Sequence, residues 1–245
     1  MNIDPVAFSI GPIDIYWYGI LISTGVLAAT FLAVREAQRQ GINEDYPILF
    51  LFWALPLGLL GARLWYVVFN WSYYSQNPGQ ILAFRSGGLA IHGAVIAGVL
   101  TLFFFCRAKK LDAWHFGDIL APGLILAQAI GRWGNFFNQE AYGVETDLPW
   151  AMYIDGAYRH PTFLYESLWD IMVFILLMRL LRQKPVPGEV MIKYFIFYSI
   201  GRFFIEGLRT DSLYVGPFRT AQVVSAFFVI AGLILLWYRK KEAQR

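Results

Sequence analysis

Seven runs of mostly apolar residues constrain this chain more than any other feature: 16–34, 48–69, 89–106, 116–136, 163–181, 190–205 and 221–238. A helix needs roughly 20 such residues to cross the hydrocarbon of a bilayer. Helices are what cross, because lipid offers no partner to an unpaired backbone N–H or C=O. The third and sixth runs are slightly short, and Pro56 and Pro122 fall inside two others, which membrane helices tolerate. The pattern predicts an all-α integral membrane protein with seven transmembrane helices. The 58% apolar and 18% aromatic content and the mean hydropathy of +0.49 lie well above those of a soluble domain. No stretch between the runs is long enough for a soluble domain of its own, so residues 1–245 are expected to form a single polytopic membrane domain. The first fifteen residues hold no Lys or Arg and carry Asp4 and Asp14. They lack the basic region of a cleavable signal peptide, so the first span is expected to direct targeting.

Orientation follows from the basic residues near the ends of the spans. Arg35 and Arg39 follow the first; Arg107, Lys109 and Lys110 the third; Arg179, Arg182 and Lys184 the fifth, with Lys193 opening the sixth. Arg239, Lys240, Lys241 and Arg245 follow the seventh. With alternating spans these all fall on one side, which is therefore expected to be cytoplasmic. The N-terminus is then outside and the C-terminus cytoplasmic. The remaining basic residues are Arg63, Arg85, Arg132, Arg159, Arg202, Arg209 and Arg219, in the outer half of the membrane or just beyond it. Every one is arginine. Topology bias explains missing lysines; it does not explain seven arginines retained. A planar, always-charged fork suits bidentate binding of phosphate, so an anionic ligand such as a phospholipid headgroup at the outer leaflet is expected.

The densest polar stretch is 131–143, G-R-W-G-N-F-F-N-Q-E-A-Y-G. It places Arg132, Asn135, Asn138 and Glu140 at the end of an apolar run, where burying them is expensive and a functional site is the default reading. The blander reading, Arg132 snorkelling while Asn135 caps a helix end, does not account for so many polar groups together. In the sixth run, Tyr198, Arg202, Glu206 and Arg209 follow steps of four, four and three. They share one helical face if the helix continues through Asp211. An ion-pair ladder easing that helix out of the membrane would produce the same spacing, and a pair with Glu206 would equally fix Arg202 for a ligand. His92 stands in an apolar helix start, Ser86-Gly-Gly-Leu-Ala-Ile-His92-Gly93. Alone it reads as a satisfied core histidine; beside a site that moves a proton, histidine is the side chain tuned to neutral pH. Gly58 and Gly61, just before Arg63, read as small-residue helix packing. The single Cys106 excludes an internal disulfide and a multi-cysteine metal site, and no spacing resembles a metalloprotease zinc motif or a phosphate-binding loop.

Together these residues resemble the prolipoprotein diacylglyceryl transferase family, over nearly the whole chain. The most specific part is G-R-x-G-N-F-x-N-x-E, here Gly131 to Glu140. The family's His-Gly is similar to His92-Gly93, its R-H-P-x-x-L-Y-E to Arg159 through Glu166, and its Tyr and Arg of the sixth helix to Tyr198 and Arg202. Gln139 departs from the pattern, standing where relatives often carry Gly. The resemblance implies transfer of the sn-1,2-diacylglyceryl group of phosphatidylglycerol to a lipobox cysteine of a prolipoprotein signal peptide, as the first step of lipoprotein maturation. A thioether forms and glycerol 1-phosphate leaves. It implies a bacterial plasma (inner) membrane enzyme with its site toward the outer, periplasmic leaflet. Its partners are phosphatidylglycerol, prolipoprotein signal peptides and the bilayer; no metal, soluble cofactor or nucleic acid is implied. Arg132 and Arg202 are the candidates for holding phosphate, and His92 or Tyr198 for handling protons; which of those two is the base stays open. Arg63, Asn135, Asn138, Glu140, Arg159, Glu206 and Arg209 are candidates for binding substrate. The rival class is a transporter with an arginine-lined anion path, against which stand the absence of repeated halves and interrupted helices. A non-enzymatic scaffold leaves the outer arginines unexplained.

Overall fold

The computed structural model describes residues 3–84 and 87–244. In chain order, a hairpin of β1 (Val6–Ile10) and β2 (Ile13–Tyr16) runs straight into α1 (Trp17–Arg39). Then come α2 (Asp45–Phe69), the single turn α3 (Trp71–Tyr74), a 3-10 turn at Pro78–Gln80, α4 (Ile91–Lys109) and α5 (Ala113–Asn138). A hairpin of β3 (Met152–Ile154) and β4 (Ala157–Arg159) precedes α6 (Thr162–Leu181) and α7 (Glu189–Glu206). A last hairpin, β5 (Tyr214–Val215) with β6 (Phe218–Arg219), leads into α8 (Thr220–Ala243). The seven predicted runs all appear as helices of 18 to 26 residues. Four of them, α1, α2, α4 and α8, are long and apolar enough to cross a membrane by length and composition. The other three, α5, α6 and α7, carry the charged residues of the site described below. The all-α expectation holds, and among the described residues three short antiparallel two-stranded hairpins accompany the helices. Arg85 and Ser86 lie outside the described residues.

The chain forms two compact units, one of residues 1–33 with 117–245 and one of residues 34–116. In the first, the core is built by α5, α6 and α7 from Ala121, Ile125, Val173, Leu177, Leu181, Val190 and Tyr194. Burying side chains of this size contributes about 1.5–3 kcal/mol each relative to water, and in lipid the same groups act through close packing. Helix α1 approaches α5 closely, for a Cβ on Gly123 would lie 2.8 Å from the Ala29 carbonyl oxygen. The buried Asp118 of α5 accepts the Gly188 N–H at 2.7 Å and the Met191 N–H at 2.8 Å. It thereby supplies from another helix the acceptor that the first turn of α7 lacks. Helix α7 stops at Glu206, where Gly207 N–H turns back to the Phe204 carbonyl at 3.1 Å. The expected continuation through Asp211 is therefore corrected: Arg209 and Asp211 leave the helix.

In the second unit α2 crosses α4 with the backbones in contact. A Cβ on Gly93 would meet the Gly61 carbonyl oxygen at 2.1 Å, and one on Gly61 would meet the Gly93 oxygen at 2.5 Å. The small-residue reading holds for Gly61; Gly58 faces open space. Arg63, two residues past Gly61, is 2% exposed. Its guanidinium donates to the carbonyls of Gln80 (2.6 Å), Ile81 (2.8 Å), Gly87 (2.6 Å) and Gly88 (2.9 Å) and lies over the Tyr74 ring. Four of its five donors thus clasp the segment between α3 and α4.

Candidate active site

At the end of the first unit where α5 and α7 finish and α6 begins, three arginines from two segments meet one carboxylate. Glu166, in the second turn of α6, is buried. Its Oε2 lies 2.5 Å from Arg132 Nε of α5. Its Oε1 lies 2.5 Å from Arg202 Nη1 of α7 and 3.4 Å from Arg209 Nη1 just past α7. Arg202 turns its other terminal nitrogen to Glu206 at 2.5 Å, one helical turn on. Arg209 is held by Asp211 through two nitrogens, at 2.9 and 2.6 Å. Arg132 Nη2 donates to the Tyr198 hydroxyl at 3.2 Å.

The acids lie deeper than the bases. The Glu166 and Glu206 side chains are 5% and 2% exposed, against 21% for Arg132 and 18% for Arg202. Buried carboxylates thus fix the guanidinium planes, while the Arg132 and Arg202 side chains keep some exposure. Like charges this close repel unless acids share them, and Glu166, Glu206 and Asp211 do so here. At the rim, burial pushes the Asp211 carboxyl up, but the hydrogen bonds and charge of Arg209 outweigh it, so its pKa lies below the usual carboxylate value.

The motif after α5 is shaped by how that helix ends. Glu140 N–H bonds to the Asn135 carbonyl at 3.0 Å and Gln139 N–H to the Phe136 carbonyl at 3.2 Å, with Gln139 at φ 54. This is a Schellman end, whose left-handed position usually holds Gly. It brings the Glu140 carboxylate back to accept from Asn135 at 3.0 Å and Asn138 at 3.2 Å. Gly134 leaves room for the Tyr18 ring, which a Cβ there would meet at 2.3 Å. Arg159, closing β4, donates to the Ile154 carbonyl at 3.2 Å, lies 3.5 Å from Glu145 and stacks over Tyr142. Arg219 donates to the Glu206 and Arg209 carbonyls and to Ser212 Oγ, so it secures the turn that carries Arg209.

Arg132, Tyr198, Arg202, Glu206 and Arg209 are therefore one cluster, and Asn135 and Asn138 at the end of α5 form a second group with Glu140 just past it. Arg159 stands in its own hairpin. Arg63 and His92 belong to the other unit. There His92 is the second residue of α4, exposed, with its ring 6.2 Å from that of Trp65. From the sequence, Glu166 is named only as the end of the 159–166 motif, with no role, and Asp170 is passed over; the two are a buried carboxylate pair one turn apart on α6. The signal was present: two acids four residues apart inside an apolar run.

Comparison with known proteins decides the family. The family model described as prolipoprotein diacylglyceryl transferase matches residues 5–238. The chain belongs to the prolipoprotein diacylglyceryl transferase family. It is 52% identical over 239 residues to the phosphatidylglycerol–prolipoprotein diacylglyceryl transferase of Clostridioides difficile, covering 98% of this chain and 96% of that protein. It is 52% identical over 240 residues to the protein of that name from Finegoldia magna, covering 98% and 97%. To that of Bacillus mycoides it is 48% identical over 255 residues, covering 99% and 94%. As a family member it is a membrane protein and a transferase, and Arg132, with its partners Glu166 and Tyr198, lies inside the matched region.

Proposed function

We propose that the transferase moves the sn-1,2-diacylglyceryl group of phosphatidylglycerol to the thiol of a lipobox cysteine in a prolipoprotein signal peptide. The relatives' names supply donor and acceptor, and the cluster of Arg132, Arg202 and Arg209 around Glu166 carries the reading. Sulfur attacks glyceryl C3 and forms a thioether. The C3–O bond breaks with its electron pair, and glycerol 1-phosphate leaves. The leaving phosphate gains a negative charge, so donors aimed at its oxygens lower the barrier. Arg132 and Arg202 hold the phosphate, because their guanidinium groups are fixed by buried acids and their side chains are partly exposed. Arg209, pinned by Asp211, and Glu206 complete that wall. Asn135, Asn138 and Glu140 orient headgroup and loop, with Arg159 in the neighbouring hairpin. Arg63 enters through the loop it clasps. His92 or Tyr198 takes the thiol proton.

In this reading residues 1–245 act as one polytopic domain of a bacterial plasma membrane. The helices α5, α6 and α7 span along with α1, α2, α4 and α8; the N-terminus is outside, the C-terminus cytoplasmic, and the cluster faces the outer leaflet. Purified protein in phosphatidylglycerol vesicles should convert a lipobox peptide to its diacylglyceryl thioether and leave a cysteine-to-serine peptide unmodified. Anion flux across the vesicles without thioether would replace the enzyme with a transporter.

A further inference from the structure

Behind the arginine cluster lies a carboxylate to which the reaction above gives no task. Asp170 follows Glu166 by one turn of α6 and is 2% exposed. Its Oδ2 is buried and has no hydrogen-bond partner among the described residues. A buried carboxylate oxygen without a donor is expensive, and within a membrane segment it marks a functional group by default. The groups facing it come from three helices: Glu166 on its own, Arg132 on α5, and Tyr194, Tyr198 and Arg202 on α7.

Asp170 lines a small cavity of about 10 Å³ together with Glu166, Trp169, Tyr198, Gly201 and Arg202. One water needs roughly 10–15 Å³ and two to four polar partners, so the space suits a single water. Gly201 shapes it: the Trp169 indole occupies the place a side chain would take, 2.3 Å from a Cβ built there. The indole is fixed by its own bond to the Phe197 carbonyl at 2.9 Å. Across the cavity, the Tyr198 oxygen already accepts from Arg132. A phenol oxygen that accepts retains its own proton to give. The cavity therefore joins a hydroxyl with a proton to give to a buried carboxyl oxygen that receives no hydrogen bond.

We propose that Asp170 is a positioning residue that draws the Tyr198 proton, through one water in the shared cavity, so that Tyr198 can take the proton of the acceptor thiol. The inference rests on the transfer reaction proposed above and selects Tyr198 over His92 as the group that meets the thiol. The S–H bond breaks and its proton bonds to the Tyr198 oxygen. The phenol's original proton passes to the water, and a water proton passes to Asp170. The S–H electron pair stays on sulfur and forms the C3–S bond as C3–O breaks toward phosphate. Asp170 loses one negative charge as the phosphate gains one. The total charge facing Arg132 and Arg202 is therefore constant through the step, which a low-dielectric site favours.

The test uses the full chain in phosphatidylglycerol vesicles with a lipobox peptide, measuring kcat and KM against pH. Asp170→Asn keeps the volume and removes the acceptor. At neutral pH its kcat should fall about 100-fold, the scale of a lost general base, with KM for phosphatidylglycerol nearly unchanged. The deficit should shrink at alkaline pH, where solution supplies thiolate. Tyr198→Phe should show the same alkaline recovery, and the double variant should be no slower than Tyr198→Phe alone, since both residues serve one chain. Asp170→Glu should keep the wild-type pH profile at a reduced rate. A wild-type rate in Asp170→Asn, a deficit equal at every pH, or a loss confined to KM overturns the proposal. Should Asp170→Asn fail to fold by its melting curve, Tyr198→Phe decides alone: a deficit without alkaline recovery overturns it. If the wild-type protein makes no thioether, the transfer reading falls first and the relay with it.

Discussion

Gln139 carries a side chain where the backbone favours none. Its left-handed conformation costs a non-glycine residue roughly 1–2 kcal/mol, and glycine's extra unfolded-state entropy returns about 0.5–1 kcal/mol of that. Gln139→Gly should therefore stabilise the protein modestly, by up to about 1 kcal/mol, seen as a higher melting temperature in detergent with activity kept. A lower melting temperature would show that the Gln139 side chain holds the loop. Asp211 gives a pH signature at the same scale. Its folded pKa lies below its unfolded value, so the stability it contributes is full above the unfolded value near 3.9 and fades as pH falls through the folded one. Asp211→Asn should lower the melting temperature slightly at neutral pH, the effect being small because the Asp211 side chain is half exposed, and the two profiles should converge as pH falls through the folded pKa. Arg132, Tyr198, Arg202 and Glu206 were legible from the sequence because a fixed charge or a four-residue step inside an apolar run is visible in one dimension. Glu166 was not singled out because its partners come from other helices. Arg63 was legible as a buried charge, but its carbonyl partners depend on how the segment between α3 and α4 folds back.

Helix existence followed from hydrophobic length; helix ends did not. Helix α5 stops at a Schellman turn, α7 at Gly207 directly after Glu206, and α1 runs past its apolar stretch to Arg39. The three hairpins went unforeseen because each is short and sits against an apolar run whose signal dominates. Their turn signals were present at Gly11-Pro12, Asp155-Gly156 and Gly216-Pro217. The α2–α4 crossing offers a sharp test of element packing. Gly93→Ala places a methyl 2.1 Å from the Gly61 carbonyl oxygen and 2.6 Å from Trp65 Cβ, so the helices must separate. Overpacking of this kind costs about 1–3 kcal/mol. The melting temperature should fall by several degrees, and Gly98→Ala, whose Cβ would meet nothing within 4 Å, should leave it unchanged. Equal melting of the two variants would mean that the crossing is looser than described.

Across the whole molecule, the proposed sidedness and the proposed leaflet of the site rest on one feature, the distribution of basic residues. Thirteen basic residues gather at one set of helix ends while the other set retains only arginine, and such bias orients membrane proteins. Cysteines placed at Asn77 or Asp147 should react with an impermeant thiol reagent added to intact cells, and one at Lys110 should not, read by mass shift after quenching. Labelling at Lys110 would reverse the orientation and put the cluster on the other leaflet. The central claim, that the Arg132 fork works as a fork rather than as a charge, is tested most directly by Arg132→Lys in phosphatidylglycerol vesicles with a lipobox peptide. Lysine keeps the charge but cannot meet Glu166 and Tyr198 together with planar donors. The wild-type protein should form thioether and glycerol phosphate in equal amounts, while the lysine variant, inserted and melting normally, should turn over about 100-fold or more slowly, the scale of one lost preorganised donor. Near-normal turnover in Arg132→Lys would contradict the account.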